Sequence, residues 1–179
     1  RLYAARPHEI QLGLLKRLRG APIIRHQLSG DLVFEAEPPY RVRQTRALPA
    51  DDVIAFEHLA HFHDRVVNGG RLPGLATAVL EQPGRRDDPG QAISPFARMR
   101  ALSTALLARF GRSHGIGFEA LIDAIRDFLV EAEILAEDQA SALAISGYRR
   151  SGAHGRLACM PRGLARHRHA SIGHDDSSV

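Results

Sequence analysis

The chain has 179 residues, 44% hydrophobic and 25% charged, with a formal charge of +4; that is material for one globular domain with its own core. No apolar run approaches the roughly 18–20 residues that cross a bilayer, so no membrane partner is expected. The single cysteine, Cys159, excludes an internal disulfide framework and fits a reducing compartment, which makes a cytoplasmic location the expectation.

Residues 2–6 read as the last turn of a helix that Pro7 stops. In the segment that follows, Ile10, Leu12 and Leu14 fall on one face of an extended run, and Glu9, Gln11, Gly13 and Leu15 on the other. A helical period is also present, since Ile10, Leu14 and Leu18 are four apart; the strand is the preferred reading. Gly20-Ala21-Pro22 then turns the chain into a new helix, the rhythm of a βα unit. Two short strands are expected at 32–36 and 40–45, separated by Pro38-Pro39, and a small ribbon could lie against residues 10–14.

Pro49-Ala50-Asp51 opens a helix to about residue 68, with Val53, Phe56, Leu59/Ala60, His63 and Val66/Val67 as its apolar stripe and Asn68-Gly69-Gly70 as its end. A short helix is expected at 75–80, then a polar loop at 82–90. Ser94-Pro95 starts a helix carrying Phe96, Met99, Leu102, Leu106 and Phe110, which Gly111 ends. Phe118, Leu121, Ile122, Ile125, Phe128 and Leu129 mark the strongest helix, expected to pair antiparallel with the preceding one. A last helix covers 137–148. From Arg149 onward apolar periodicity gives way to Gly, Ser, Arg and His, the texture of a flexible tail.

Three stretches carry a family resemblance: EIQLGLLKRLRGAPI, EPPYRVRQTRAL and HDRVVNGGRLP. Together they resemble the carboxy-terminal region of cobalamin-binding radical S-adenosylmethionine proteins, related to the anaerobic magnesium-protoporphyrin monomethyl ester cyclase type. In that family a Gln-Leu-Gly-x-Leu-Lys-x-Leu-x-Gly-Thr-Pro segment ends the catalytic barrel. A mainly helical domain follows, with Pro-Pro-Tyr-Glu-Val and Asp-x-x-x-Asn-Ser-Gly segments. Gln11, Gly13, Lys16, Gly20 and Pro22 match; Ala21, Arg41 and Gly69 depart from the usual Thr, Glu and Ser.

The resemblance implies a parent enzyme with a [4Fe–4S] cluster, S-adenosylmethionine and cobalamin. It places Gln11 and Gly13, on the lumen face of the last barrel strand, nearest the S-adenosylmethionine site, with Lys16 as a third candidate. The family's Cys-x3-Cys-x2-Cys cluster motif is absent from this chain, so none of these cofactors is expected on it alone and no catalytic residue is assigned. The expected partners are the cobalamin-binding and radical regions that would precede it.

Other candidate chemistry is weaker. His58, His61, His63 and Asp64 share one helix, but His63 falls on the apolar stripe and no third ligand follows, so packing is preferred to metal binding. Asp64 and Asn68 share a face; helix-end hydrogen bonding is the preferred role and a docking clamp the alternative. Arg149, Arg150, Arg156, Arg162, Arg166 and Arg168, with His154, His167, His169 and His174, concentrate positive charge without the aromatics that stack on bases. Nucleic acid is therefore not an expected partner. Arginine supplies 23 of the 24 basic side chains, a skew that points to genome composition rather than to a ligand.

The expectation is thus an α+β, mainly α chain: the end of a radical S-adenosylmethionine barrel at 1–27, an accessory domain of short ribbon and helices at 28–148, and an Arg/His-rich tail at 149–179. The helical domain would cap the barrel in the parent enzyme. A basic nucleic-acid-binding module and a freestanding helical interaction protein are the alternatives.

Overall fold

The computed structural model describes residues 2–5, 7–85, 87 and 94–161. Among them the chain is mainly α with a small antiparallel ribbon, as expected. A 3₁₀ turn at Tyr3–Ala5 precedes an irregular segment, a short α1 (Ile24–Leu28), and strands β1 (Leu32–Phe34) and β2 (Val42–Thr45). Five helices follow: α2 (Ala50–His63), continued by a π-helical turn at Asp64–Asn68, then α3 (Pro73–Glu81), α4 (Pro95–Phe110), α5 (Phe118–Glu131) and α6 (Glu137–Arg150).

The punctuation residues act as their chemistry dictates. Ser94 caps α4, its hydroxyl accepting the Ala97 N–H at 3.3 Å, and Pro95 occupies the first turn, where its missing N–H costs nothing. Gly111 ends α4 in the left-handed conformation (φ +63°) that a side chain would resist. At α6 the Gln139 side chain accepts the Ala136 N–H, half of a capping box.

The core lies among α2 to α6. Phe62, Leu72, Leu75, Leu102, Leu106, Leu121, Ile122, Ile125 and Leu129 are all essentially inaccessible. Each buried side chain of this size contributes about 1.5–3 kcal/mol before the entropy of ordering is set against it. Two positions depart from the expected stripes. Phe62 is fully buried although it lies off the expected α2 stripe, because α2 is packed against both α4 and β2. Phe96, expected inside, is 55% exposed at the open start of α4.

The ribbon pairs Leu32 with Thr45, Val33 with Gln44 and Phe34 with Val42, with a bulge between Val33 and Phe34. The strand expected at 10–14 is not a ladder strand. Residues 9–15 are neither helical nor part of a ladder, and among the described residues the one isolated bridge is Lys16 to Arg41. The Val42 N–H reaches Leu15 O at 2.8 Å and the Arg17 N–H reaches Tyr40 O at 2.9 Å, so β2 offers its second edge to residues 15–17 alone.

Residues 149–161, expected to begin a flexible tail, belong to the folded body. α6 runs to Arg150, and residues 151–161 fold back along α5. Leu157 is fully buried, and both Asp123 carboxylate oxygens accept the Ala158 N–H, at 3.1 and 3.0 Å. The Tyr148 hydroxyl donates to Glu119 at 2.8 Å directly beneath Gly155. Basic residues 162, 166 and 168 and His167, His169 and His174 lie outside the described residues.

A β-carbon at Gly155 would overlap both Glu119 Oε1 and the Tyr148 hydroxyl. Gly155→Ala should therefore cost about 1–3 kcal/mol, the range for forcing extra volume into a packed site. Urea denaturation of the two proteins checks this; an unchanged midpoint would mean that the fold-back is not clasped there.

Candidate functional site

Although residues 9–15 form no ladder, they keep the alternation of a strand. Ile10, Leu12 and Leu14 are half-buried, while Glu9, Gln11, Gly13 and Leu15 are exposed. Leu12 packs on the helical core, and Leu14 lines a cleft of about 210 Å³ with Val42, Val53 and Ile54. Among the described residues nothing bonds to the backbone N–H or C=O of Gln11, Leu12, Gly13 or Leu14. Four consecutive peptide units with an alternating apolar face and free polar groups are half of a β-ladder.

The segment is held at one end by Asn68. Its Oδ1 accepts the Ile10 N–H at 3.2 Å, and its Nδ2 donates to Ile10 O at 3.1 Å. One side-chain amide thus makes both bonds that a neighbouring strand residue would make. Nδ2 also donates to Asp64 Oδ1 at 3.3 Å, which orients it. The π turn sets this up: the Gly69 N–H bonds to Asp64 O at 2.8 Å, five residues back, and the wider turn presents Asn68 toward Ile10. A β-carbon at Gly69 would press on Arg65 O at 3.0 Å, so a glycine suits the tight exit. The Asp64/Asn68 pair is both the helix-end network and a clamp, and the clamp acts within the chain.

At the other end Arg41 stands between Glu35 and Glu57. It pairs with both, and the Arg41 backbone N–H, then its guanidinium, hold the Glu35 carboxyl below the usual range. Arg41 therefore joins the ribbon to α2. A second cleft, of about 420 Å³, lies between the segment and α3, with Ile10, Val67, Ala76 and Leu80 as floor and Glu9 and Glu81 at its rim.

The structure does not gather Gln11, Gly13 and Lys16 into a pocket. All three are exposed; the Gln11 amide donates to Glu9 at 3.3 Å, and nothing lies within 4 Å of a β-carbon built on Gly13. Gln11 and Gly13 share the exposed side of the alternation, and Lys16 follows at the bridge to Arg41. The [4Fe–4S] cluster does not fit this chain, since the Cys-x3-Cys-x2-Cys pattern needs three thiolates and the sequence holds one. Cys159 is half-buried, with burial and then Asp123 pushing its thiol up, the reverse of what a reactive thiolate needs.

The histidines separate. His58 Nδ1 meets Ser113 Oγ at 2.9 Å, and the His61 ring lies against that of His114 with centroids 4.0 Å apart. His63 is buried beside Tyr3, both ring nitrogens without a hydrogen-bond partner. Among the described residues no group of three or more His, Cys, Asp or Glu is placed to hold a metal ion. Sequence reasoning missed the His58–Ser113, His61–His114 and Tyr148–Glu119 contacts, which join residues 29 to 55 positions apart and leave no local signal. Among the described residues no helix is long and apolar enough to cross a membrane. Compared with protein-family models, curated proteins and solved structures, this chain has no match.

Removing the Asn68 amide should release the amino-terminal segment. Asn68→Ala is expected to cost about 1–3 kcal/mol, from two lost hydrogen bonds, and to speed tryptic cleavage after Lys16 and Arg17 while the helical core stays protected. Equal cleavage rates in the two proteins would show that the clamp does not hold the segment.

Burial, the foremost cause at both sites, keeps His61 and His63 below the usual histidine value of 6.5. The unfolded chain therefore takes up these protons first as the pH falls. Their contribution to stability is complete above 6.5 and is lost progressively below it, toward the depressed native values. Thermal melts between about pH 7.5 and about pH 5 should show Tm falling, and His63→Leu should flatten that slope; an unchanged slope would remove His63 as the cause.

Proposed function

We propose that this chain is the carboxy-terminal part of an enzyme of the cobalamin-binding radical S-adenosylmethionine type, residues 9–17 being the end of its barrel and the helices a cap over the barrel mouth. The observation that carries the reading is the run Gln11–Leu12–Gly13–Leu14: strand-like alternation on a backbone with no described hydrogen-bond partner, clamped at Ile10 and anchored at Lys16. Such a run gains its hydrogen bonds when another strand lies beside it. The three stretches of motif resemblance support the same assignment, and each now has a structural place: the open run, the ribbon turn before Arg41, and the Asp64–Asn68 clamp.

In this reading the chain supplies no cluster ligand, and the radical chemistry belongs to the cofactors of the preceding region. What its own residues do is position and shield. Gln11 and Gly13 present a small polar face, Lys16 sits where the run joins the ribbon, and Asn68 and Arg41 tie that run to the helical cap. The partners are the preceding cobalamin-binding and barrel regions; a single cysteine and the family both favour a cytoplasmic location.

The test uses a complete homologue that carries Cys-x3-Cys-x2-Cys. Deleting the counterpart of residues 28–147 should abolish product formation and raise uncoupled cofactor cleavage, because an uncovered barrel admits water. Unchanged turnover would defeat the cap. Reading the DNA upstream of this chain in frame for the same cysteine motif tests the family assignment separately.

A further inference from the structure

One face of α2 and its π turn grips the connection between α4 and α5. His58, His61 and Arg65 follow one another at helical spacing. Each holds one residue of the connection: His58 bonds Ser113 at 2.9 Å, His61 stacks on His114 at 4.0 Å with the planes 45° apart, and Arg65 Nη2 donates to Ile116 O at 2.8 Å. Two of the gripped residues are buried, Ser113 at 2% and Ile116 at 7% exposure, while His114 is exposed and meets His61 from the surface side.

We propose that the His61–His114 stack is an acid-sensitive latch that seats residues 112–117 on α2 at neutral pH and frees them when the rings become charged. The three contacts respond differently to a proton. The His58–Ser113 bond survives, because the Ser113 hydroxyl donates to a neutral ring and accepts from a charged one. The Arg65–Ile116 bond does not titrate. The stack does: two imidazolium rings 4 Å apart repel, and Arg65, itself partly desolvated, adds a fixed positive charge beside them. The groups facing His61 are His58, Asp64 and Arg65 on its own helix and π turn, and His114 from the connection; Asp64 works in the opposite sense from the other three. Burial, then His114, holds His61 below the usual histidine value, so the His61 ring is the neutral partner of the contact at pH 7. The latch is independent of the barrel reading.

Hydrogen exchange followed at about pH 7.5 and about pH 5.5, each corrected for intrinsic rate, tests it. In the unmodified chain the amides of residues 112–117 should lose protection at the lower pH, while α5 core amides hold. In His61→Phe, which keeps a ring in the stack without its charge, that pH dependence should vanish; His114→Phe gives the same comparison from the other ring if the first variant does not fold. Equal protection of 112–117 at both pH values overturns the latch. So does an equal loss throughout α5, which would be global opening driven by His63, or a pH dependence that persists in the ring variants.

Discussion

Asn68 does for Ile10 what a neighbouring strand would do, and the segment leading to the ribbon is held at its start by that substitution of a side chain for a backbone. The reason is geometric: a carboxamide carries one donor and one acceptor in the same arrangement as a peptide unit. The π turn is what delivers it. One extra residue in the last turn of the α2 run widens the helix and orients Asn68 and Asp64 together, so that the clamp is braced before the segment arrives. Beyond Ile10 the chain runs four residues without a backbone partner and is caught again by β2 at Leu15 and Arg17. A backbone suspended between two anchors keeps free the polar groups that a neighbouring strand would use, and this is what the barrel-end proposal rests on.

The helical body is organised differently. Its cohesion is apolar and non-directional, from α3 against α4 and α6 and from α5 against α6 and α4, with Leu157 closing the last gap from the chain that follows. Polar contacts decide where connections sit. Tyr148 and Glu119 leave room only for a glycine at position 155, and Asp123 receives the next stretch of backbone at Ala158. Surface ion pairs such as Arg109–Asp127 and Arg46–Asp31 contribute little beside these, since exposed pairs are worth about 0–1 kcal/mol.

The histidines illustrate how one residue type is divided by its surroundings. Three of them on a single helix take three fates: a hydroxyl partner for His58, a second imidazole for His61, and an apolar enclosure for His63. The enclosure keeps His63 neutral by desolvation, whereas at His61 desolvation is joined by repulsion from His114 and Arg65. The same chemistry thus yields a core residue and a titrating contact two positions apart.

The helices, their ends and the ribbon were legible in the sequence because their causes are local: Ser94-Pro95 starts a helix wherever it is placed, Gly111 ends one, and the spacing of Leu121, Ile122, Ile125 and Leu129 marks a single face. The in-out alternation of residues 9–15 was legible for the same reason. Whether that alternation becomes a ladder was decided only in three dimensions, because β2 has an edge for residues 15–17 and none for 11–14. Tertiary structure also decided that Phe62 is core, that Phe96 is not, and that residues 151–161 belong to the body rather than to a tail. Periodicity describes what a residue's own helix or strand presents; which presented faces find a partner depends on residues far away in sequence, and those distances leave no mark on a local pattern.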